Sequence, residues 1–397
     1  MDLAVLRLKK NEERRLQAGH VWIYSNEIDT KKSPLNSFNA GQIVKVEAYD
    51  KTSLGIAYVN PQSLITGRLV SRDTRDNLDL PLLIRRLQSA YDWRQRFYTL
   101  PYYRLVFAES DGLPGLVVDR YGDHLAVQLN TAGMDVSQDL VVTALQNVIP
   151  NVQSILLRND SSTRLQEGLT TSVSTGFGTP PEKVTVIENG VSFNAPFLTG
   201  QKTGWFYDHR LNRSRLRDYV HNHRVLDVFS YLGAFGIQAA VFGAKEVVCV
   251  DASELAAEYI KENAQLNHVA DKVDVICDDA FVALKKLAST SERFDVVVLD
   301  PPAFVKKQKD KKEGLLAYQR INEAALKLLN PGGVLFSCSC SMQVDYSELL
   351  GAIRRASLAA HCNIQIVERG HQAADHPVHM AIPETDYLKM IIVRKMG

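Results

Sequence analysis

The sequence predicts an α/β protein. Its C-terminal part is Rossmann-like, and it is preceded by a small β-rich domain and a central α+β domain. Three observations predict this. After Arg224, apolar runs of strand length alternate with amphipathic stretches, the rhythm of a parallel sheet with crossover helices. Near the N-terminus, residues 42–49 (QIVKVEAY) alternate apolar and polar, as a half-buried strand does. Asn189-Gly190 lies between two alternating runs in residues 184–195, a strong hairpin signal. The domains are placed at residues 1–75, 76–181 and 182–397, the last boundary following the Thr179-Pro180-Pro181 break.

The first domain is expected to hold further strands at 54–59 and 65–70. Its basic cluster (Arg7, Lys9, Lys10, Arg14, Arg15) reads first as a solvated face, and second as a rim for phosphates. In the central domain, Leu83, Leu87, Ala90 and Phe97 mark one stripe of a helix over 80–97. Tyr91 and Trp93 sit among Arg85, Arg86, Arg94 and Arg96; they read as core or boundary aromatics, with base stacking as the alternative. Strands at 116–119, 125–129 and 154–158 and a helix at 136–148 complete this domain. The C-terminal strands are expected at 225–229, 246–250, 273–276, 294–299 and 333–337, with helices at 234–242, 254–266, 280–287 and 315–329.

Composition narrows the function classes. Of 397 residues, 45% are hydrophobic and 23% charged, a globular balance, and the net charge of +1 leaves any polyanionic partner to be recognised by a local patch. The five cysteines show no CxxC spacing, so neither a disulfide framework nor a structural zinc site is expected, and no metal is assigned. The early charges in MDLAVLRLKKNEERR do not read as a secretory leader, and no apolar run is long enough for a membrane span. The expected setting is cytoplasmic.

In a parallel sheet, ligands bind beyond the carboxyl ends of the strands. The first strand runs into DVFSYLGAFG, residues 227–236, so that Ser230, Gly233, Ala234 and Phe235 lie on the turn that opens a helix. Tyr231 stands where a dinucleotide fingerprint needs glycine, which disfavours a pyrophosphate. Asp251 ends the second strand and suits ribose hydroxyls; Asp278 and Asp279 follow the third and suit an exocyclic adenine amine. Each carboxylate alone is ordinarily a helix cap. With Asp227 they make three acidic strand ends in successive βα units, an adenosine site of the kind that holds S-adenosylmethionine.

The fourth strand ends in DPPAF, residues 300–304. Pro301 and Pro302 remove two N–H donors, which leaves carbonyls and Asp300 to meet a planar base edge, with Phe304 beside them. Lys306 and Lys307 open a basic run, residues 306–312, expected to be a loop that contacts phosphate. The fifth strand ends FSCSCS, residues 336–341. Cysteines are mostly small buried hydrophobes, but Cys338 is placed to be a nucleophile. A thiolate adding to carbon 6 of a pyrimidine turns carbon 5 into a nucleophile towards the sulfonium methyl. That chemistry calls for a thiol pKa below the usual ~8.5, with Asp300 holding N3.

QKTGWFYDHR (residues 201–210), DVFSYLGAFG, DPPAF, FSCS, ESDGLPGLVVDRYGD (residues 109–123) and GHQAADHP (residues 370–377) occur together. In these motifs the chain resembles, over essentially its whole length, the bacterial family of large-subunit (23S) ribosomal RNA cytosine-5 methyltransferases. The resemblance implies an N-terminal PUA domain that binds RNA, a central α+β domain and a class I methyltransferase domain. It implies S-adenosylmethionine as cofactor and 23S ribosomal RNA or a large-subunit precursor as partner. It also implies that the segment from Lys202 to Arg210 folds over the cofactor, with Phe206 near the adenosyl group and Asp208 and Arg210 as polar support; unaided, that segment reads as a surface helix. Cys338 matches the family's nucleophile. Cys340 falls where glycine is usual and is a second candidate, and Asp227 is a variable position, sometimes Asn. The motif after strand four has no cysteine, so a two-cysteine mechanism is not supported. Two other readings stay open at the level of sequence: a guanine-nitrogen or protein-amine methyltransferase, for which Cys338 is dispensable, and a non-catalytic RNA-binding assembly factor.

Overall fold

A computed structural model describes residues 3–200 and 203–397; Gln201 and Lys202 of the sequence motif lie outside the described residues. The chain forms two compact units. One comprises Met1–Val184, Pro196–Trp205 and Ala374–Thr385; the other comprises Thr185–Ala195, Phe206–Ala373 and Asp386–Gly397. No helix among the described residues is long and apolar enough to cross a membrane.

The first unit contains two five-stranded sheets. One runs in the order Ala4–Arg7, Ile43–Glu47, Ser53–Val59, Gly67–Ser71, Trp22–Ile23. The other runs Ser172–Gly178, Ser154–Asn159, His124–Leu129, Leu116–Tyr121, Tyr102–Phe107. Only the pair His124–Leu129 and Ser154–Asn159 is parallel in the second sheet, and the helix Gln138–Val148 makes the crossover. The expected helix at 136–148 is broken at Ser137, which separates it from a short helix, Ala132–Val136. The helix Leu80–Gln95 is capped by Asp79, which accepts from the Leu82 N–H, and it buries Leu83, Leu87 and Ala90 as its stripe requires. Phe97 lies beyond its end and is exposed, as is Trp93. Arg94, one of the arginines around that stripe, is wholly buried against Asp111 at 2.5 and 2.7 Å. Ile56, Tyr58 and Val70 share one apolar cluster with Leu83, Leu116 and Met134, so both sheets pack on a common core. The strand Ser172–Gly178 has no apolar alternation, because nearly all of it is exposed.

The second unit is built on one seven-stranded sheet. Its strands are β1 (Arg224–Val228), β2 (Glu246–Asp251), β3 (Val273–Cys277), β4 (Phe294–Leu299), β5 (Leu329–Ser339), β6 (Ile364–His371) and β7 (Lys389–Lys395). They lie in the order β3-β2-β1-β4-β5-β7-β6, with β1 to β5 parallel and β7 antiparallel to both neighbours. The crossover helices are α1 (Ala234–Val241), α2 (Glu254–Leu266), α3 (Ala280–Ala288) and α4 (Lys311–Leu328); α5 (Tyr346–Ala359) follows β5. Leu226, Val228, Val297, Leu299, Leu335 and Val393 fill the core on the sheet. The order reverses between β1 and β4, which opens a crevice at their carboxyl ends. The helix expected at 315–329 begins a turn earlier, at Lys311, and draws in the end of the basic run: Gln308–Asp310 is a 3-10 turn and Lys311 pairs with Glu348. The hairpin Lys183–Glu188/Val191–Pro196 turns through Asn189 and Gly190, both at positive φ (+55° and +84°), as its sequence requires.

Candidate active site

The turn after β1 is held in an unusual backbone conformation. Phe229, Tyr231 and Gly233 have φ of +65°, +51° and +77°. For the two aromatic residues this stores about 1–3 kcal/mol each, strain that a packed surrounding must hold in place. Ser230 does part of that: its hydroxyl donates to the Asp227 carbonyl at 2.6 Å and accepts from the Val250 N–H at 3.1 Å. Asp251 does another part, accepting from the N–H groups of Tyr231 (2.8 Å) and Ser253 (3.0 Å).

Asp227 is 1% exposed, and its Oδ2 accepts from the Gly236 N–H in the first turn of α1 at 2.8 Å. Its Oδ1 is buried and has no hydrogen-bond partner among the described residues. Burial, with the charges of Asp300 and Asp251 adding to it, pushes this carboxyl up to about 7 against the hydrogen bond from Gly236. An orphaned carboxylate oxygen in a three-carboxylate cluster is a site for a cationic ligand, and the amino and sulfonium groups of S-adenosylmethionine fit it. Asp279 caps α3, accepting from Phe281 and Val282 N–H groups, and Asp278 is paired with Lys286 at 2.6 Å. Both are therefore engaged in the local way that isolated carboxylates usually are.

On the other side of the crevice, the Asp300 N–H donates to the Val228 carbonyl at 3.3 Å, so that Asp300 lies beside the end of β1. Pro301 is buried, while Pro302, Lys306 and Lys307 are exposed. Phe304 packs edge-on to Tyr318, with ring centres 4.9 Å apart. The end of β5 divides its side chains by strand alternation. Ser339 donates to the Tyr318 hydroxyl at 2.8 Å, and Ser341 shares a hydrogen with the same hydroxyl at 2.9 Å. Cys338 is wholly buried, and Cys340, which is partly exposed, directs its thiol to the Pro301 carbonyl.

The segment read unaided as a surface helix is instead built into the unit. Tyr207–His209 is a 3-10 turn followed by a short helix, Arg210–Ser214, and Tyr207, Asp208, His209 and Arg210 are all buried. Phe206 meets the Tyr231 ring edge-on at 5.4 Å, which sets it against the turn after β1. Asp208 accepts from the Tyr387 hydroxyl at 2.5 Å and from the His209 N–H. Arg210 approaches Glu188, which Arg213 binds at 2.6 and 2.9 Å. Both thus brace the segment.

His209, passed over in the sequence although it stands within the motif, reaches the reaction side. Its Nε2 is 3.1 Å from Asp300 Oδ1, and the two residues and Cys338 each offer one polar atom within 4.8 Å of the others. The Cys338 thiol is not lowered as the mechanism demands. Burial pushes it well above its ordinary value, and the charges of Asp300, Cys340 and Asp227 push the same way. Burial therefore favours the neutral thiol at Cys338.

Residues 6–72 match the family model of the PUA-like domain, and residues 169–388 that of the S-adenosylmethionine-dependent methyltransferases. The ribosomal RNA large subunit methyltransferase I of Aliivibrio fischeri is 37% identical over 387 residues, covering 96% of this chain and 97% of that protein. The protein of the same name from Aeromonas salmonicida is 38% identical over 393 residues, covering 98% of each. Among solved structures, a protein from Streptococcus mutans described as a SAM-dependent methyltransferase superposes with a TM-score of 0.82 at 22% identity, covering 99% of this chain and 100% of that one. A structure described as a methyltransferase complexed with SAH gives 0.83 at 23% identity, with the same coverage. These two likenesses establish the fold.

Proposed function

The chain belongs to the S-adenosylmethionine-dependent methyltransferases, with a PUA-like domain at its N-terminus, and from that premise we propose that it methylates carbon 5 of a cytosine in 23S ribosomal RNA or a large-subunit precursor. The observation that carries this reading is Cys338, set at the end of β5 within 4.8 Å of Asp300 and His209. The names of the relatives, spanning nearly the full length of both chains, support ribosomal RNA as the substrate.

Bound S-adenosylmethionine supplies an electrophilic methyl group. In this reading Asp227 holds its amino group through the orphaned Oδ1, Asp251 the ribose hydroxyls and Asp279 the adenine amine through its uncommitted oxygen. Phe206 would lie against the adenosyl group. Ser230, Gly233, Ala234 and Phe235 form the floor, and Asp278, Asp208 and Arg210 support it from outside. The target ring lies between Asp300 and Cys338, against Pro301, Pro302 and Phe304, with Lys306 and Lys307 at neighbouring phosphates. The Cys338 sulfur adds to carbon 6 and Asp300 meets N3; carbon 5 gains electron density and takes the methyl. The carbon-5 proton then leaves to water as its electron pair re-forms the C5–C6 double bond and expels the thiolate.

The test is methyl transfer from labelled cofactor to ribosomal RNA lacking its own modification, with nucleoside analysis of the product. Wild type and Cys340→Ala are expected to form 5-methylcytosine and Cys338→Ala to form none. A fully active Cys338→Ala, or label on a guanine, overturns the reading.

A further inference from the structure

The mechanism leaves two needs unmet: a neutral buried thiol must lose its proton, and N3 of cytosine, an acceptor, must receive one as the sulfur adds. Asp300 acting only as a hydrogen-bond partner answers neither. The residue placed to change this is His209. It is 3% exposed and lies between two elements of the site, with Nε2 on Asp300 and the Phe235 ring edge-on at 5.5 Å.

We propose that His209 is a positioning residue that works as an imidazolium, making Asp300 the carrier that takes the Cys338 proton to N3 of the target cytosine. This deepens the C5-methylation reading and rests on it. The groups that face His209 are Asp300 from β4, Cys338 from β5, Asp208, Asn212 and Arg213 from its own segment, and Phe235 from α1. Burial disfavours the cation, but the charge and hydrogen bond of Asp300 and the charge of Asp208 outweigh it and Arg213, and hold the imidazole above its ordinary pKa. Asn212 accommodates this form. Its amide lies 3.2 Å from His209 Nδ1, and its Oδ1 is buried without a partner among the described residues. Turning the amide over, an exchange of nearly identical atoms, gives that oxygen the Nδ1–H of the imidazolium.

In the addition step, a sulfur lone pair forms the S–C6 bond as the thiol proton passes to Asp300. The electron pair of the C5–C6 double bond moves through the ring, and N3 takes the proton from Asp300. His209 keeps its own two N–H bonds throughout. Its hydrogen bond to Oδ1 leaves Oδ2 of Asp300 for the ring, and its charge offsets the forming thiolate. Expulsion of the thiolate reverses the path: N3 returns its proton through Asp300 to sulfur.

RNA containing 5-fluorocytosine at the target position stops the reaction at the adduct, because fluorine cannot leave as the proton does. The rate of covalent complex formation is measured between pH 6 and 9.5 for wild type and His209→Gln, which retains a hydrogen-bond donor but no charge. Wild type is expected to slow as pH rises through the His209 pKa. The variant is expected to be slower at pH 7 by on the order of 10²-fold, with no alkaline decline. A wild-type rate that does not fall on the alkaline side overturns the proposal without reference to any variant. So does a His209→Gln protein that binds cofactor normally and shows the wild-type profile. If wild type itself forms no adduct while still transferring methyl to RNA, the C5 reading fails instead.

Discussion

Replacing Asp227 with asparagine should make the protein more stable and worse at holding its cofactor. The carboxyl is pushed from an ordinary 3.8 up to about 7, chiefly by burial. Keeping it ionised in the fold therefore costs roughly 4 kcal/mol at pH above 7, since each pH unit between the folded and unfolded values is worth about 1.4 kcal/mol. The folded state holds this proton more tightly than the unfolded chain. Wild-type stability from this group is thus fully present below 3.8, falls as pH rises from 3.8 to about 7, and stays at its low level above that. Asparagine is neutral throughout, can still accept from the Gly236 N–H, and sets an N–H group among Asp300 and Asp251. Asp227→Asn should melt several degrees above wild type at pH 8.5, and the two should converge near pH 4. Cofactor binding should move the opposite way. If Asp227 receives the cofactor's amino group as proposed, wild-type affinity should rise with pH through about 7, as this carboxyl ionises. The variant should be weaker at pH 8.5 by about 1.5–3 kcal/mol, the worth of a charged hydrogen bond, and flat with pH. Scanning calorimetry and calorimetric titration of S-adenosylmethionine at pH 5.5, 7 and 8.5 measure both. An Asp227→Asn protein that melts below wild type at pH 8.5, or binds cofactor with an unchanged pH profile, refutes the reasoning.

Two further substitutions probe the frame around the site. A Cβ on Gly236 would stand 2.4 Å from Cys249 Sγ and 3.1 Å from Asp227 Oδ2. Gly236→Ala should thus destabilise by about 1–3 kcal/mol from overpacking, less about 1 kcal/mol of helix propensity, and Cys249→Ala should recover most of the loss; strict additivity of the two in denaturant titrations would show that the contact is not the cause. Glu188 is 1% exposed and receives Arg213 twice and Gln238 at 3.0 Å. Glu188→Gln leaves the Arg213 charge buried without its counterion and should lower stability by about 3–5 kcal/mol; a midpoint within error of wild type would remove this pair from the account.

The strands and helices from Arg224 onward were legible because their signals are local: buried parallel strands are solid apolar runs, crossover helices show one apolar stripe, and the spacing between acidic strand ends is set by the βα repeat itself. The antiparallel edge was not. β6 is mostly exposed and carries no alternation, and α5 is announced only by its Asp345–Glu348 capping box. Arg94 shows the same limit in the first unit, since a charge on a helix reads as solvated until its partner, Asp111, and the carbonyls it binds are brought to it.

By itself the sequence determined the sheet that places Asp227, Asp251 and Asp300 at strand ends, because strand periodicity and turn chemistry act between near neighbours in the chain. Only the tertiary structure decided what those groups are. It brought His209, 91 residues before Asp300 in the chain, to 3.1 Å from it, and it withdrew the Cys338 thiol from water. Ionisation depends on burial and on charges a few ångströms away, and neither is a property of the local sequence.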